Sequence, residues 1–185
     1  MAIPTGPEII ASRLQRLNTQ LLATVDVLTE EEASTWPTST APSCKWHLWH
    51  MARWADYVQA LLPPVGLKET CELWESEQFK EKWGFNGIDL GMWGAGSGLG
   101  NKNGRSLPLP SLPEVRAYAT KVFNHLEIRV GKFDEFSFNT PFTDWHDVDT
   151  SIGDAMIGYL AHANRHLGML EAIRGVLGKD GSVTV

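Results

Sequence analysis

Apolar residues recur at intervals of three and four along four stretches of the sequence, which is the period of an amphipathic helix. The four stretches cover about residues 8–28, 44–62, 112–133 and 152–177. In the last stretch the inward positions are Ile152, Met156, Tyr159, Ala163, His166, Leu170 and Ile173. Four long helices, with no convincing strand and no internal repeat, predict one all-α domain over residues 1–185. The predicted architecture is an up-down-up-down four-helix bundle.

Polar residues at the helix starts support these boundaries. Ser43 is suited to cap the second helix, because its hydroxyl can accept a hydrogen bond from an otherwise unpaired backbone N–H. The third and fourth helices open with capping-box patterns, Ser111 with Glu114 and Ser151 with Asp154. A shorter helical piece is predicted around residues 70–82. The aromatic and acidic stretch 136–149 is predicted to be a long loop.

A glycine-rich insertion lies between the second and third helices, with eight glycines among residues 84–104. It matches neither the dinucleotide-binding pattern nor the P-loop, so we do not expect it to bind a nucleotide. Apolar residues are interleaved with its glycines: Phe85, Ile88, Leu90, Met92, Trp93 and Leu99. A segment that stays solvated is expected to be more highly charged. We therefore predict an ordered arm, packed on the bundle or on a second subunit, with a homodimer as the simplest partner.

Composition and charge exclude several classes of protein. The formal net charge is −6, and the 16 Lys and Arg residues are scattered along the chain, so nucleic-acid binding is not expected. No apolar run approaches the roughly 20 residues that span a bilayer, and the first residues lack the pattern of a signal peptide. The only two cysteines, Cys44 and Cys71, are too few for a disulfide scaffold. These features predict a cytoplasmic protein that acts on a small-molecule substrate.

Three histidines on two helices form a candidate metal site. His162 and His166 are four residues apart, so both rings lie on one face of the last helix. His50 lies beside the apolar stripe of the second helix, and a third imidazole from a facing helix would complete a three-ligand site with an open position. His47 is an alternative third ligand. His146, in the loop TDWHDVD, could also approach the site.

The two segments that carry these histidines, SCKWHLWHMARWADY and YLAHANRHLGMLEAIRG, resemble the two signature segments of the DinB-like superfamily. The resemblance is to uncharacterised DinB-like proteins, with mycothiol- and bacillithiol-dependent transferases and the N-terminal domain of ergothioneine synthases as more distant relatives. It implies a four-helix bundle whose metal is bound by one histidine of the second helix and an H-x-x-x-H pair of the last. The family's W-x-L-x-H pattern selects His50 over His47. The glycine-rich insertion departs from the family pattern.

The resemblance also implies a use for the metal, in which a low-molecular-weight thiol is activated for transfer to an electrophile. Zinc, nickel, iron and manganese all suit imidazole ligands. Asp56, six residues after His50, is a candidate acid–base group or hydrogen-bond partner of a ligand, with a solvated position on the helix face as the alternative. Other functions remain open: a metal-stabilised binding or stress-response module without chemistry, or a metal-dependent hydrolase. Because an unperturbed imidazole titrates near pH ~6.5, we expect metal affinity to fall below about pH 6.

Overall fold

Helices contain most of the residues in the computed structural model, which describes residues 3–65 and 70–181. In chain order the elements are α1 (Gly6–Asp26), α2 (Glu30–Ser34), α3 (Cys44–Leu61), α4 (Leu73–Ser76), α5 (Phe79–Lys82), α6 (Gly100–Arg105), α7 (Leu112–Val130), α8 (Glu135–Phe138), β1 (Pro141–Thr143), β2 (Asp149–Ser151) and α9 (Ile152–Val176). The predicted all-α class is confirmed. Within the described ranges, no helix is long and apolar enough to cross a membrane.

The four long helices, α1, α3, α7 and α9, share one hydrophobic core. Helix α3 packs on α7 and on α9, and α1 also packs on both, whereas α1 and α3 contact each other little. The side chains that fill the centre include Leu14, Leu21, Leu48, Met51, Tyr118, Phe123, Leu126 and Tyr159, each at most 1% exposed. The neighbouring positions of α3 and α9 bring the two histidine-bearing segments together.

Helix α3 begins where the sequence predicts, because the Ser43 hydroxyl accepts a hydrogen bond from the N–H of Trp46 at 3.2 Å. It ends at Leu61, just before the dipeptide Pro63–Pro64. Most of its residues are buried, including the polar side chains of Arg53, Asp56 and Gln59. The amphipathic pattern predicted only one buried stripe. The opposite face is buried because the glycine-rich insertion lies over it.

The glycine-rich insertion packs on helix α3 of its own chain. Phe85, Leu90, Ala95 and Leu99 are buried, and Ala95 is 0% exposed. Gly96 has a φ of +90°, and a Cβ at this position would lie 2.9 Å from the rings of both Trp46 and Trp49. The absence of a side chain therefore lets the backbone contact helix α3 directly. The burial of these residues agrees with an ordered arm, and the homodimer stays a prediction.

Two predicted connections have more structure than the sequence suggested. Stretch 136–149 is not a long loop, because it contains part of α8 and an antiparallel pair in which Pro141 faces Ser151 and Thr143 faces Asp149. Strands of three residues are too short for alternation to identify them. The helical piece predicted at 70–82 is divided into α4 and α5, with Gln78 between them at a φ of +58°.

Candidate metal centre

His50, His162 and His166 come together between α3 and α9. One ring nitrogen from each histidine lies within 4.8 Å of the corresponding nitrogens of the other two. The ring centroids of His50 and His166 are 4.6 Å apart, and those of His162 and His166 are 4.7 Å apart. His50 and His166 are buried, and His162 is half-buried. These three imidazoles could hold one divalent ion.

The ring of His50 is oriented by the glycine-rich insertion. Its Nδ1 lies 2.5 Å from the carbonyl oxygen of Ala95. A carbonyl can only accept, so Nδ1 carries the proton and Nε2 keeps the lone pair that a metal requires. The indole of Trp46 stacks on the same ring at 4.8 Å with 11° between the planes. His50 is thus held in one tautomer and one orientation before any ion binds.

His47 is not part of the three-histidine cluster but contacts one of its members, His166. Its Nδ1 lies 2.9 Å from Nδ1 of His166, so one of the two nitrogens donates and the other accepts. If His166 binds a metal through Nε2, its proton lies on Nδ1 and His47 is the acceptor. Such a hydrogen bond fixes the tautomer of a ligand. The alternative in which His47 itself is the third ligand is not favoured by this arrangement.

His162 provides the test of whether these residues suit a metal. Its Nε2 is buried and has no hydrogen-bond partner among the described residues. A buried polar atom without a partner is costly, and a bound ion would satisfy it. The side chain also lies in the wall of a cavity of about 430 Å³. The residues therefore fit a metal ion that faces space for a further ligand.

Burial keeps these histidines neutral. Desolvation lowers the pKa of His47 to about 4 and that of His50 to about 3. Desolvation is also the main cause that lowers the pKa of His166 to about 2, with the nearby His50, His47, His162 and Arg165 adding to it. The pKa of His162 is lowered by burial and then by Arg165 and His146. A neutral imidazole is the form that binds a metal, so at neutral pH these histidines are in the protonation state that a metal site requires.

Asp56 is buried in a hydrogen-bond network next to the centre. Its carboxylate is 0% exposed, so the solvated position proposed as an alternative is wrong. It accepts bonds from five donors: Arg53 Nη1, Gln59 Nε2, Tyr118 Oη and the backbone N–H groups of Leu73 and Trp74. His50 makes its hydrogen bond with the Ala95 carbonyl oxygen and not with Asp56. A catalytic Asp56 stays a prediction, and its contacts are those of a residue that joins α3 to α4 and α7.

Arg53 connects this network to the insertion. Its guanidinium pairs with Asp56 at 3.2 Å and with Glu72 at 2.7 Å. Its Nε–H donates to the carbonyl oxygen of Gly94 at 3.0 Å, one residue before the carbonyl that contacts His50. A charged side chain that is 3% exposed therefore anchors the backbone that orients a candidate ligand.

Several site residues could not be identified from the sequence. Ala95 acts through its backbone, which leaves no signal in residue type. Trp54, Trp93, Trp145 and Tyr159 line the cavity, but apolar periodicity alone assigns aromatic residues of this kind to a core. His146, left open as a residue near the site, lies at the cavity wall. His125 is exposed on α7. Cys44 is buried, and burial raises the pKa of its thiol to about 12.

Taken together, the fold and the site define a helical protein in which two neighbouring helices supply a three-histidine cluster. The sequence model of the DinB superfamily matches residues 13–170. The chain therefore belongs to the DinB superfamily. No curated protein matches it significantly. A solved structure of a conserved protein from Enterococcus faecalis is similar in fold, with a TM-score of 0.77 and 18% sequence identity, over 96% of this chain and 100% of the other.

Proposed function

We propose that this protein is a metal-dependent enzyme that activates a low-molecular-weight thiol for transfer to an electrophile. His50, His162 and His166 hold one divalent ion, and the four long helices form an up-down-up-down bundle around it. The observation that supports the metal most directly is Nε2 of His162, which is buried in the histidine cluster and has no hydrogen-bond partner in the described part of the chain. The thiol rests on the resemblance of the two signature segments to thiol-dependent transferases.

The chemistry follows from the charge of the ligands. Three neutral imidazoles leave the ion with its full 2+ charge, and it would lower the pKa of a thiol or water bound to it. The protein's own residues hold the site in place: Ala95 and His47 orient two of the ligands through their Nδ1 atoms. The cavity beside His162 gives a substrate access to the open side. That access supports an enzyme over a closed, purely structural site.

The test begins with the metal content of the purified protein. We expect close to one divalent ion per chain, and His50→Ala, His162→Ala and His166→Ala should each lose stoichiometric loading, because two imidazoles bind an ion poorly. His47→Ala should still load but bind about 10-fold more weakly, since it removes only the partner of a ligand. His125→Ala, on the exposed face of α7, is the matched control and should behave as wild type. Full loading of His50→Ala beside a metal-free His47→Ala would overturn the assignment.

The loaded protein is then assayed for conjugation of bacillithiol, mycothiol and cysteine to an electrophilic aryl chloride, and for hydrolysis of an aryl ester. Thiol-dependent turnover that the histidine variants lose supports the proposal. Ester hydrolysis alone would support the hydrolase alternative. Full metal loading with no turnover, together with a metal-dependent rise in melting temperature, would support the non-catalytic module. We also propose a cytoplasmic homodimer, which light scattering of the purified chain tests.

A further inference from the structure

The cavity next to the histidine cluster combines an aromatic wall with unused hydrogen-bonding groups. Its aromatic side chains are Trp54, Trp93 and Trp145. The ring centroids of Trp54 and Trp93 are 4.8 Å apart, and those of Trp54 and Trp145 are 5.9 Å apart. Trp93 satisfies its own N–H by donating to the Trp145 carbonyl oxygen at 3.2 Å. The wall is therefore a fixed apolar surface suited to a flat part of a ligand.

Two buried polar groups in the same wall have no partner among the described residues. They are Nε1 of Trp54, on a side chain that is 4% exposed, and the hydroxyl of Tyr159, on a side chain that is 1% exposed. An indole N–H only donates, and a phenol hydroxyl can donate. Burying such donors without an acceptor is unfavourable. A ligand that brings acceptor oxygens into the cavity would satisfy both.

One positively charged side chain in the cavity wall is available to pair with a ligand. Arg165, on the turn of α9 between the two histidines, lines the cavity, and its guanidinium forms no hydrogen bond or ion pair with any described residue. The two acidic residues of the wall keep their negative charges and accept hydrogen bonds from neighbouring residues. Asp144 accepts the backbone N–H groups of His146 and Val148, and Asp154 accepts the hydroxyl of Thr150. Arg165 is therefore the charged side chain of this wall that has no partner among the described residues, and its guanidinium can pair with an anionic group of a ligand.

We propose that the cavity binds a small molecule that carries a carboxylate and a flat apolar part. The carboxylate pairs with Arg165, whose planar fork matches its two oxygens. The flat part lies against Trp54, Trp93 and Trp145, and the hydroxyl of Tyr159 donates to a ligand oxygen. This inference specifies the substrate class of the proposed function, but its test does not need the metal.

Three probes of one shape and different charge test the proposal: 3-phenylpropanoate, 3-phenylpropanamide and 3-phenylpropylamine. Their affinities are measured by calorimetry on the metal-free and the metal-loaded protein. We expect the carboxylate to bind about 10-fold more tightly than the amide in both forms, because it can form a charged pair with the unpaired guanidinium of Arg165. A tighter amine would show that the tryptophans form a cage for a cation, and it would overturn the proposal. Binding of none of the probes would overturn it as well.

Two variants locate the contacts. Arg165→Gln should bring the carboxylate to within about 3-fold of the amide, and Arg13→Gln, exposed on α1 and outside the cavity, should leave the ratio unchanged. Tyr159→Phe removes a hydroxyl that has no described partner, so the fold should persist while the carboxylate binds several-fold more weakly. A ratio unaffected by Arg165→Gln would contradict the proposal. If the carboxylate binds as expected while the protein takes up no metal, the proposed function fails and this inference stands.

Discussion

At the scale of single residues, the site depends on how each buried polar group is partnered. His50, Asp56 and Arg53 all lie on α3 within two turns, and each is at most 4% exposed. Their partners come mainly from outside α3: Ala95 and Gly94 from the insertion, Glu72 and the backbone of α4, and Tyr118 from α7. A buried charge is tolerated when it is paired and hydrogen-bonded. The network is consequently sensitive to loss of any one charge.

The first prediction concerns Asp56→Asn, which keeps the shape and removes the charge. It leaves Arg53 without its buried partner and replaces an acceptor with a donor near the N–H groups of Leu73 and Trp74. We expect the free energy of unfolding to fall by about 3 kcal/mol, measured by urea denaturation followed by circular dichroism. Glu75→Gln, at an exposed position on α4, should change it by less than about 0.5 kcal/mol. Lost turnover with unchanged stability would instead make Asp56 a catalytic residue.

At the scale of elements, the sequence predicts the features that follow the regular period of a helix. The four long helices were predicted to within a few residues, and the pair His162 and His166 needs only the four-residue spacing of one helix. The insertion could not be derived in this way. Its path depends on glycines with positive φ, on a carbonyl that contacts His50 and on an arginine that holds Gly94, and none of these leaves a periodic signal. The hairpin β1–β2 was missed because its strands are too short.

The second prediction concerns the backbone of the insertion at Gly96. In Gly96→Ala the new Cβ would lie 2.9 Å from Trp46 and Trp49, so the insertion must move away from α3 and take the Ala95 carbonyl with it. We expect metal affinity to fall about 10-fold or more, because a ligand loses its orienting partner. The measurement is a competition titration with a chromogenic chelator.

Gly84→Ala is the matched control for that experiment. Gly84 also has a positive φ, +73°, but a Cβ there meets nothing within 4 Å. It therefore has a similar backbone cost, about 1–2 kcal/mol, without the clash against α3. Its metal affinity should match the wild-type value. Equal weakening by both substitutions would mean that general destabilisation, and not the position of Ala95, controls the metal.

At the scale of the whole molecule, the buried histidines link folding to pH. Burial holds the pKa of His47 near 4, of His50 near 3 and of His166 near 2, whereas the unfolded chain titrates near pH ~6.5. Below that pH the unfolded state binds more protons than the native state. The stability that these neutral histidines contribute is thus fully present above about pH 6.5, and each contribution is lost as pH falls from there to the native-state pKa of that histidine, by up to about 1.4 kcal/mol per pH unit for each histidine.

The third prediction concerns the pH at which the metal is released, which differs from the value expected from the sequence. An unperturbed imidazole would release metal below about pH 6, but these native-state ligands resist protonation to lower pH. We expect the metal to stay bound at pH 6 and to be released only as the helical signal is lost. Circular dichroism and a chelator that reports free metal, followed in one acid titration, check this. Release of metal at pH 6 from a fully helical protein would contradict this prediction and would agree with histidines that titrate as unperturbed imidazoles.

The hydrogen bond between His50 and Ala95 has a thermodynamic consequence for the insertion. If an ordered insertion raises the affinity of the cluster for its ion, then by linkage the bound ion must stabilise the ordered insertion by the same free energy. The coupling passes through one carbonyl, and the same backbone continues to Trp93 in the cavity wall. We therefore expect metal binding at the histidine cluster and the shape of the adjacent cavity to be thermodynamically coupled.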